Sequence, residues 1–369
     1  MKLSYIFLCL LFFCESPHAE RFTPTDANTI IATWPIVSSP ALQQAQAAKR
    51  LHPSDPTTVV TLANNYLALA GMPGQSRLYG LAQAALKPLI DNATNNTQAW
   101  LAWAQVLQHQ HVFNDALDAI AKVTASDPKN INANLLAARI YLIQDKPAQA
   151  RQSCLKLLGY SDLLTMSTCV LEITSHQPEQ LLESYNQLTT LVKREGFPTD
   201  ERGPWIAQVL ADMAVRMNNS KAAEEWLTPQ LNNATVNYLA QWSDVQLTQG
   251  NYEKVISFLT PIVKSASEVD DLLLLQLAIA EKQLSDKGHE KEWQSQLAAR
   301  VLLREQRQDS QHANELARYY LDVNPQPQKA LYWAKLHFEN SREYNDKKLL
   351  ERAQIAVDSQ NTTSSPEEK

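Results

Sequence analysis

The stretch Thr97–Asn130 reads TQAWLAWAQVLQHQHVFNDALDAIAKVTASDPKN. Within its 34 residues, Trp100, Trp103, Ala104, Leu107, Ala116, Ile120 and Pro128 stand at positions 4, 7, 8, 11, 20, 24 and 32. Apolar residues recur at three- and four-residue steps on both sides of the polar QHQH segment, the pattern of two amphipathic helices joined by a turn. Small residues at positions 8 and 20 let the two helices cross closely, and the large residues at 4, 7, 11 and 24 fill the space around the crossing. Such a unit cannot bury its apolar faces alone and needs neighbours of the same kind.

Neighbours are present on both sides. Ile131–Leu164 places Ala138, Tyr141, Ala150 and Cys154 at positions 8, 11, 20 and 24, and a unit beginning near Pro56 places Leu62, Ala63 and Tyr66 at 7, 8 and 11. Trp205–Leu231 resumes the pattern with Leu210, Ala211 and Ala223. The period is similar to that of a tetratricopeptide (TPR) repeat. The expected fold is all-α: tandem TPR-like helix pairs forming a right-handed α-solenoid. In Val236–Ile262, Gly250 sits where the first helix should end in a left-handed residue, a conformation in which glycine carries no Cβ penalty.

The pattern also has interruptions. A short helix over Asp26–Trp34 and a second over Pro40–Leu51 read as a degenerate opening repeat. GMPGQSRLYG (Gly71–Gly80) is an insertion carrying three of the eight glycines. Thr165–Glu195 lacks the signature small residues, and GFPTDERGP (Gly196–Pro204) reads as a hinge. Helices are expected over Asp270–Leu284, Glu290–Arg304, Gln311–Val323 and Pro327–Glu339, with a capping helix over Tyr344–Asp358. The resulting organisation is a signal peptide at 1–19, an N-terminal array at 20–195, a break at 196–204, a C-terminal array at 205–358 and a disordered tail at 359–369.

Composition narrows the function classes. The net charge is −6, and no long basic run points to nucleic acid. Lys2 followed by the apolar run Tyr5–Cys14 reads as a secretory signal cleaved after Ala19, too short to span a bilayer. Export, with a bacterial periplasm preferred, and no lipid insertion of the mature chain follow as expectations. Two cysteines remain after cleavage, Cys154 and Cys169, on helices the register packs together. An oxidising compartment permits a disulfide between them, and two separate buried thiols are the alternative.

No catalytic constellation emerges. GxSxG and GxGxxG motifs are absent, and His109 and His111 are two apart, so on a helix they face different ways. His289–Glu290 lacks the HExxH spacing. Asp270 and Asp271 read as helix-cap residues. The expectation is a non-enzyme without metal or cofactor, binding a protein or peptide in the groove lined by its first helices. Trp100, Trp103, Tyr66 and Trp242 read as core, whereas Asn64, Gln105, Gln108 and Arg139 occupy positions 9 and 12, which point into the groove.

Two phrases carry a family resemblance. GQSRLYGLAQAAL (Gly74–Leu86) and DSQHANELARYYLD (Asp309–Asp322) resemble segments of exported bacterial TPR proteins of unassigned function, often encoded beside a HupE/UreJ-like membrane protein. Gln75, Ser76 and Asn314 depart from that pattern. The resemblance implies a membrane protein as a partner or, alternatively, an accessory role in nickel-like metal handling with a permease-like partner. It makes Arg77 and His312 the first polar residues to test.

Overall fold

The computed structural model describes residues 26, 39–284 and 291–364. The expected signal peptide, the opening helix beyond Asp26, and His289–Glu290 lie outside the described residues. Ile36–Lys369 forms one compact unit.

Among the described residues the chain is helical throughout. A lead helix α1 (Pro40–Leu51) is followed by eight antiparallel pairs: α2 (Pro56–Ala70) with α3 (Leu78–Asp91), α4 (Thr97–His109) with α5 (Phe113–Ser126), α6 (Ile131–Ile143) with α7 (Pro147–Leu155), and α8 (Leu163–Thr174) with α9 (Leu181–Glu195). The series continues with α10 (Arg202–Arg216) and α11 (Ser220–Leu227), α12 (Val236–Thr248) and α13 (Tyr252–Ser265), α14 (Asp271–Leu284) and α15 (Glu292–Gln306), and α16 (Ala313–Arg318) and α17 (Pro327–Asn340). Helix α18 (Tyr344–Ser364) closes the stack. Every first helix touches the next first helix, from α2·α4 through α16·α18. This defines a solenoid whose inner wall is the row of first helices.

The repeat is set by three local devices. The residue before a first helix caps it: Asp55, Asn96, Asn130, Asp162 and Thr235 each accept from the backbone N–H three residues on. At the turn between helices stand His111, Asp145, Asn218 and Gly250, with φ of 59°, 58°, 59° and 76°. The residue after each donates to a carbonyl five back, as Val112 to Leu107, Lys146 to Tyr141, Asn219 to Ala214 and Asn251 to Gln246, the bond of a Schellman motif. The third device is close crossing: Ala63, Ala104, Ala116, Ala150, Ala211, Ala223 and Ala330 are all fully buried.

Several sequence expectations need correction. Helix α8 begins at Leu163, two residues before the expected Thr165, because Asp162 supplies its cap. In the Gly196–Pro204 segment, Gly196, Thr199, Asp200 and Glu201 are exposed, whereas Phe197 and Gly203 are packed. A Cβ on Gly203 would stand 2.4 Å from the Pro198 carbonyl oxygen, and Phe197 stacks on Trp226. Asp271 stands in the first turn of α14 as expected, and its buried carboxylate also pairs with Arg300 and Arg304. The end of the Gln311–Val323 segment is a π-helical turn at Tyr319–Val323. Ser359–Ser364, expected to be disordered, continues α18. There Gln354 donates to Asp358, and the hydroxyls of Ser359 and Thr362 donate to carbonyls four residues back.

The cysteine alternatives resolve to a disulfide. Cys154 on α7 and Cys169 on α8 are joined across 15 residues, with Cα atoms 5.7 Å apart.

Candidate functional site

The inner wall is crossed by two bridges between distant repeats. The first is the insertion Gly71–Gly80. Its Gly71 carbonyl accepts from the backbone N–H of Val236, its Gly74 N–H donates to Asp270 Oδ2 at 2.7 Å, and Ser267 Oγ donates to the Gly74 carbonyl. Gly74 has φ +72°, and a Cβ there would lie 2.9 Å from Ala266 Cβ and 3.0 Å from the Glu268 carbonyl oxygen. Only glycine fits both the backbone and the space. Burial beneath this loop pushes the Asp270 carboxyl up to about 6.

The second bridge joins the turn between α17 and α18 to the end of α6. Arg342 donates its backbone N–H to the Ile143 carbonyl at 2.8 Å, and Lys347 pairs with Asp145. Arg139 on α6 grips Glu343 with both arms of its guanidinium, at 2.7 and 3.0 Å. The turn is stiffened from within by Asp346, which binds His337, the Ser341 hydroxyl and the Glu343 N–H.

Beside the second bridge lies a cleft of about 320 Å³, lined by Leu135, Ala138, Arg139 and Leu142 of α6, Cys169, Glu172 and Ile173 of α8, and Trp205 of α10. Its walls are aliphatic and aromatic; its polar groups are Arg139 and Glu172. These two are 3.5 Å apart, a longer contact than Arg139 makes with Glu343. Burial pushes the Glu172 carboxyl up to about 7, opposed by Arg139 and reinforced by Glu343 and Asp212, while a hydrogen bond from Trp205 favours the ionised form. Asp212 itself is held by Arg216, whose guanidinium also donates twice to Ser175.

Between the two bridges, histidines from both ends of the chain come within electrostatic reach. His109 stacks on Tyr79 of the insertion-side helix α3, ring centroids 3.5 Å apart, and His111 stacks on Phe113. His111 is half-buried beside Phe113, whereas His109 remains exposed at the end of α4 despite its contact with Tyr79. Both are held below the usual imidazole range, by shielding first and then by neighbouring imidazoles, among them His312. Among the described residues, no group of three or more His, Cys, Asp or Glu is arranged to hold a metal, and no helix is long and apolar enough to cross a membrane.

The sequence-nominated residues do not gather at one place. Asn64 is exposed on α2, and Gln105 and Gln108 are half-buried on α4. Arg139 stands at the second bridge, engaged by Glu343 and Glu172. Arg77 is half-buried at the start of α3. His312 opens the last repeat, its Nδ1 3.1 Å from Asp309. Trp242 is core as expected, and Tyr66, Trp100 and Trp103 pack partly buried against core clusters. Glu172, Glu343 and Asp270 were not nominated. Glu172 did carry a signal: it is the single charged residue in the twelve of α8, LLTMSTCVLEIT.

No protein-family model matches the chain, and no curated protein does. Among solved structures, similarity is found to a tetratricopeptide repeat protein from Parabacteroides merdae, at 15% identity and TM-score 0.46, covering 65% of this chain and 91% of that one. A second is the APC/C hetero-tetramer Cut9–Hcn1, at 15% identity and TM-score 0.41, covering 85% of this chain and 52% of that one. A third is the P58(IPK) TPR domain, at 14% identity and TM-score 0.26, covering 81% and 99%. The fold assignment rests on the chain's own helix pairing.

Proposed function

We propose that this chain is a non-catalytic, exported binding scaffold whose partner is a protein or peptide, taken up along the inner wall of the solenoid. The observation that carries this reading is the unbroken row of first helices, α2 to α16, with a side-chain-sized cleft between α6, α8 and α10. Stacked helix pairs make extended concave surfaces suited to chain segments rather than to small substrates. The Cys154–Cys169 disulfide supports export, because such bonds persist in oxidising compartments. Metal handling has no convergent ligand set behind it among the described residues.

The test is a displayed random-peptide library selected on the full chain, with enriched peptides confirmed by calorimetry. A shared peptide motif whose binding is lost when the half-buried Leu135 of the cleft wall is replaced by Trp, in a variant that melts like the wild type, supports the scaffold. Absence of enrichment, or binding indifferent to that substitution, overturns it. Export is tested by cell fractionation of a tagged chain; recovery from the cytosol with reduced cysteines rejects it.

A further inference from the structure

The charges around the cleft do not balance. Arg139 and Arg216 stand against Glu172, Glu343 and Asp212, while Asp346 beyond Glu343 is paired with His337 and Lys347 with Asp145. Arg216 is fully committed to Asp212 and Ser175, and Arg139 is committed in two-armed fashion to Glu343. Glu172 is left with the long edge contact to Arg139 and the hydrogen bond from Trp205. When all three carboxyls are ionised, the surplus negative charge lies at the one that lines the apolar cleft.

We propose that the cleft between α6, α8 and α10 receives a basic side chain, lysine or arginine, of a peptide partner, with Glu172 pairing its charge. The chemistry of the lining fits that occupant part by part. Leu135, Ala138, Leu142 and Ile173 offer an aliphatic wall for a methylene stem, the portion that lysine and arginine ordinarily bury. Trp205 presents an indole, the strongest aromatic partner for a cation. Glu172 supplies the opposite charge where burial strengthens a charge-assisted hydrogen bond. A volume of about 320 Å³ is at the small end of ligand sites, the scale of one side chain rather than a cofactor. An acidic side chain would face Glu172, and a purely apolar one would leave that charge covered and uncompensated. A basic side chain restores neutrality.

The side chain's source rests on the scaffold reading, but the pocket is testable without it. The full chain is labelled with 5-fluorotryptophan, and the Trp205 resonance is assigned by its loss in Trp205→Phe. n-Hexylammonium, n-hexanol and hexanoate are titrated in turn. The ammonium ion is expected to shift the Trp205 resonance saturably, with the alcohol about tenfold weaker or more and the carboxylate inert. Glu172→Gln is expected to bring the ammonium ion down to the level of the alcohol. An alcohol that binds as well as the ammonium ion, or no shift with either, overturns the proposal. An ammonium affinity unchanged by Glu172→Gln does the same, and the wild-type comparison decides alone if that variant fails to fold. In the peptide library, enriched motifs without lysine or arginine sink the pocket and leave the scaffold. Ammonium binding with no enriched peptide does the reverse.

Discussion

The backbone N–H of Gly74 donates to the carboxylate of Asp270 across 196 residues of chain. A loop inserted into the first pair of helices thereby seals against the start of the seventh pair, and the solenoid is fastened to itself. A strain-free αL residue and a gap without a Cβ are both needed at one position, and both are met by glycine. Gly74→Ala is expected to cost about 1–3 kcal/mol in chemical denaturation, through αL strain and overpacking together. Hydrogen exchange should speed up in two distant places, 71–80 and 266–271. Gly80→Ala is the control: no atom lies within 4 Å of its Cβ position. As a helix-interior change it should be neutral or stabilise by up to about 1 kcal/mol. Equal effects at both glycines would remove the bridge from the account.

The second bridge is expected to be weaker. Arg139 and Glu343 are 45% and 24% exposed, so solvent screens much of their attraction. A double-mutant cycle on Arg139→Gln and Glu343→Gln should return a coupling of about 1 kcal/mol, falling at high salt. A coupling indistinguishable from zero at low salt would mean the turn between α17 and α18 is held by Arg342 and Lys347 alone.

Ala116 faces the helix crossing with no exposed surface. Ala116→Leu would force side chains from their rotamers or spread α4 from α5, and should cost about 1–3 kcal/mol in thermal unfolding. The same change at the exposed Ala121 on the same helix should be close to silent. A melting temperature that does not separate the two would place the crossing elsewhere.

That crossing was legible in the sequence because its cause is local. Close approach of two helices demands a small residue at fixed spacing, and Ala63, Ala104, Ala116 and Ala150 repeat the demand. Gly250 was legible for the same reason, since one turn decides its φ. Gly74 and Asp270 were not, because which distant turns meet depends on small rotations accumulated over five repeats. Glu172 lay between these cases. A lone acid in an apolar helix marks a place of interest, but Arg139 and Trp205 are brought to it by stacking, and Glu343 by the closure of the solenoid. Asp271 was legible as an acid at a helix start, but not the two arginines that its carboxylate takes from α15.

The disulfide joins residues 15 apart, on two helices that already pack. In the chain-entropy picture, closing a loop of this length stabilises by about 3 kcal/mol, by restricting the unfolded chain. Cys154→Ala with Cys169→Ala should lower the unfolding free energy by about that amount, and reduction of the wild type should match it. A pair of variants as stable as the oxidised protein would show that packing of α7 on α8 suffices without the bond.

Glu172 makes a prediction with a definite sign. Its folded-state pKa is raised to about 7 from an ordinary 4.5, so the fold favours the protonated carboxyl. The contribution to stability is fully present below about 4.5 and is lost as pH rises through about 7. His109 and His176, depressed to about 4 from 6.5, act oppositely: neutral in the fold, they cost stability as pH falls below 6.5. Glu172→Gln keeps the shape and removes the charge, while Arg139 retains Glu343, and Asp212 retains Arg216. The variant should therefore melt higher than wild type at pH 8, by a free energy of roughly 1–3 kcal/mol, and the two should converge towards pH 4.5. The histidine slope is common to both proteins and cancels in the comparison. A variant less stable than wild type at pH 8 would mean that ionised Glu172 is fully compensated by Arg139, and that the cleft carries no surplus charge.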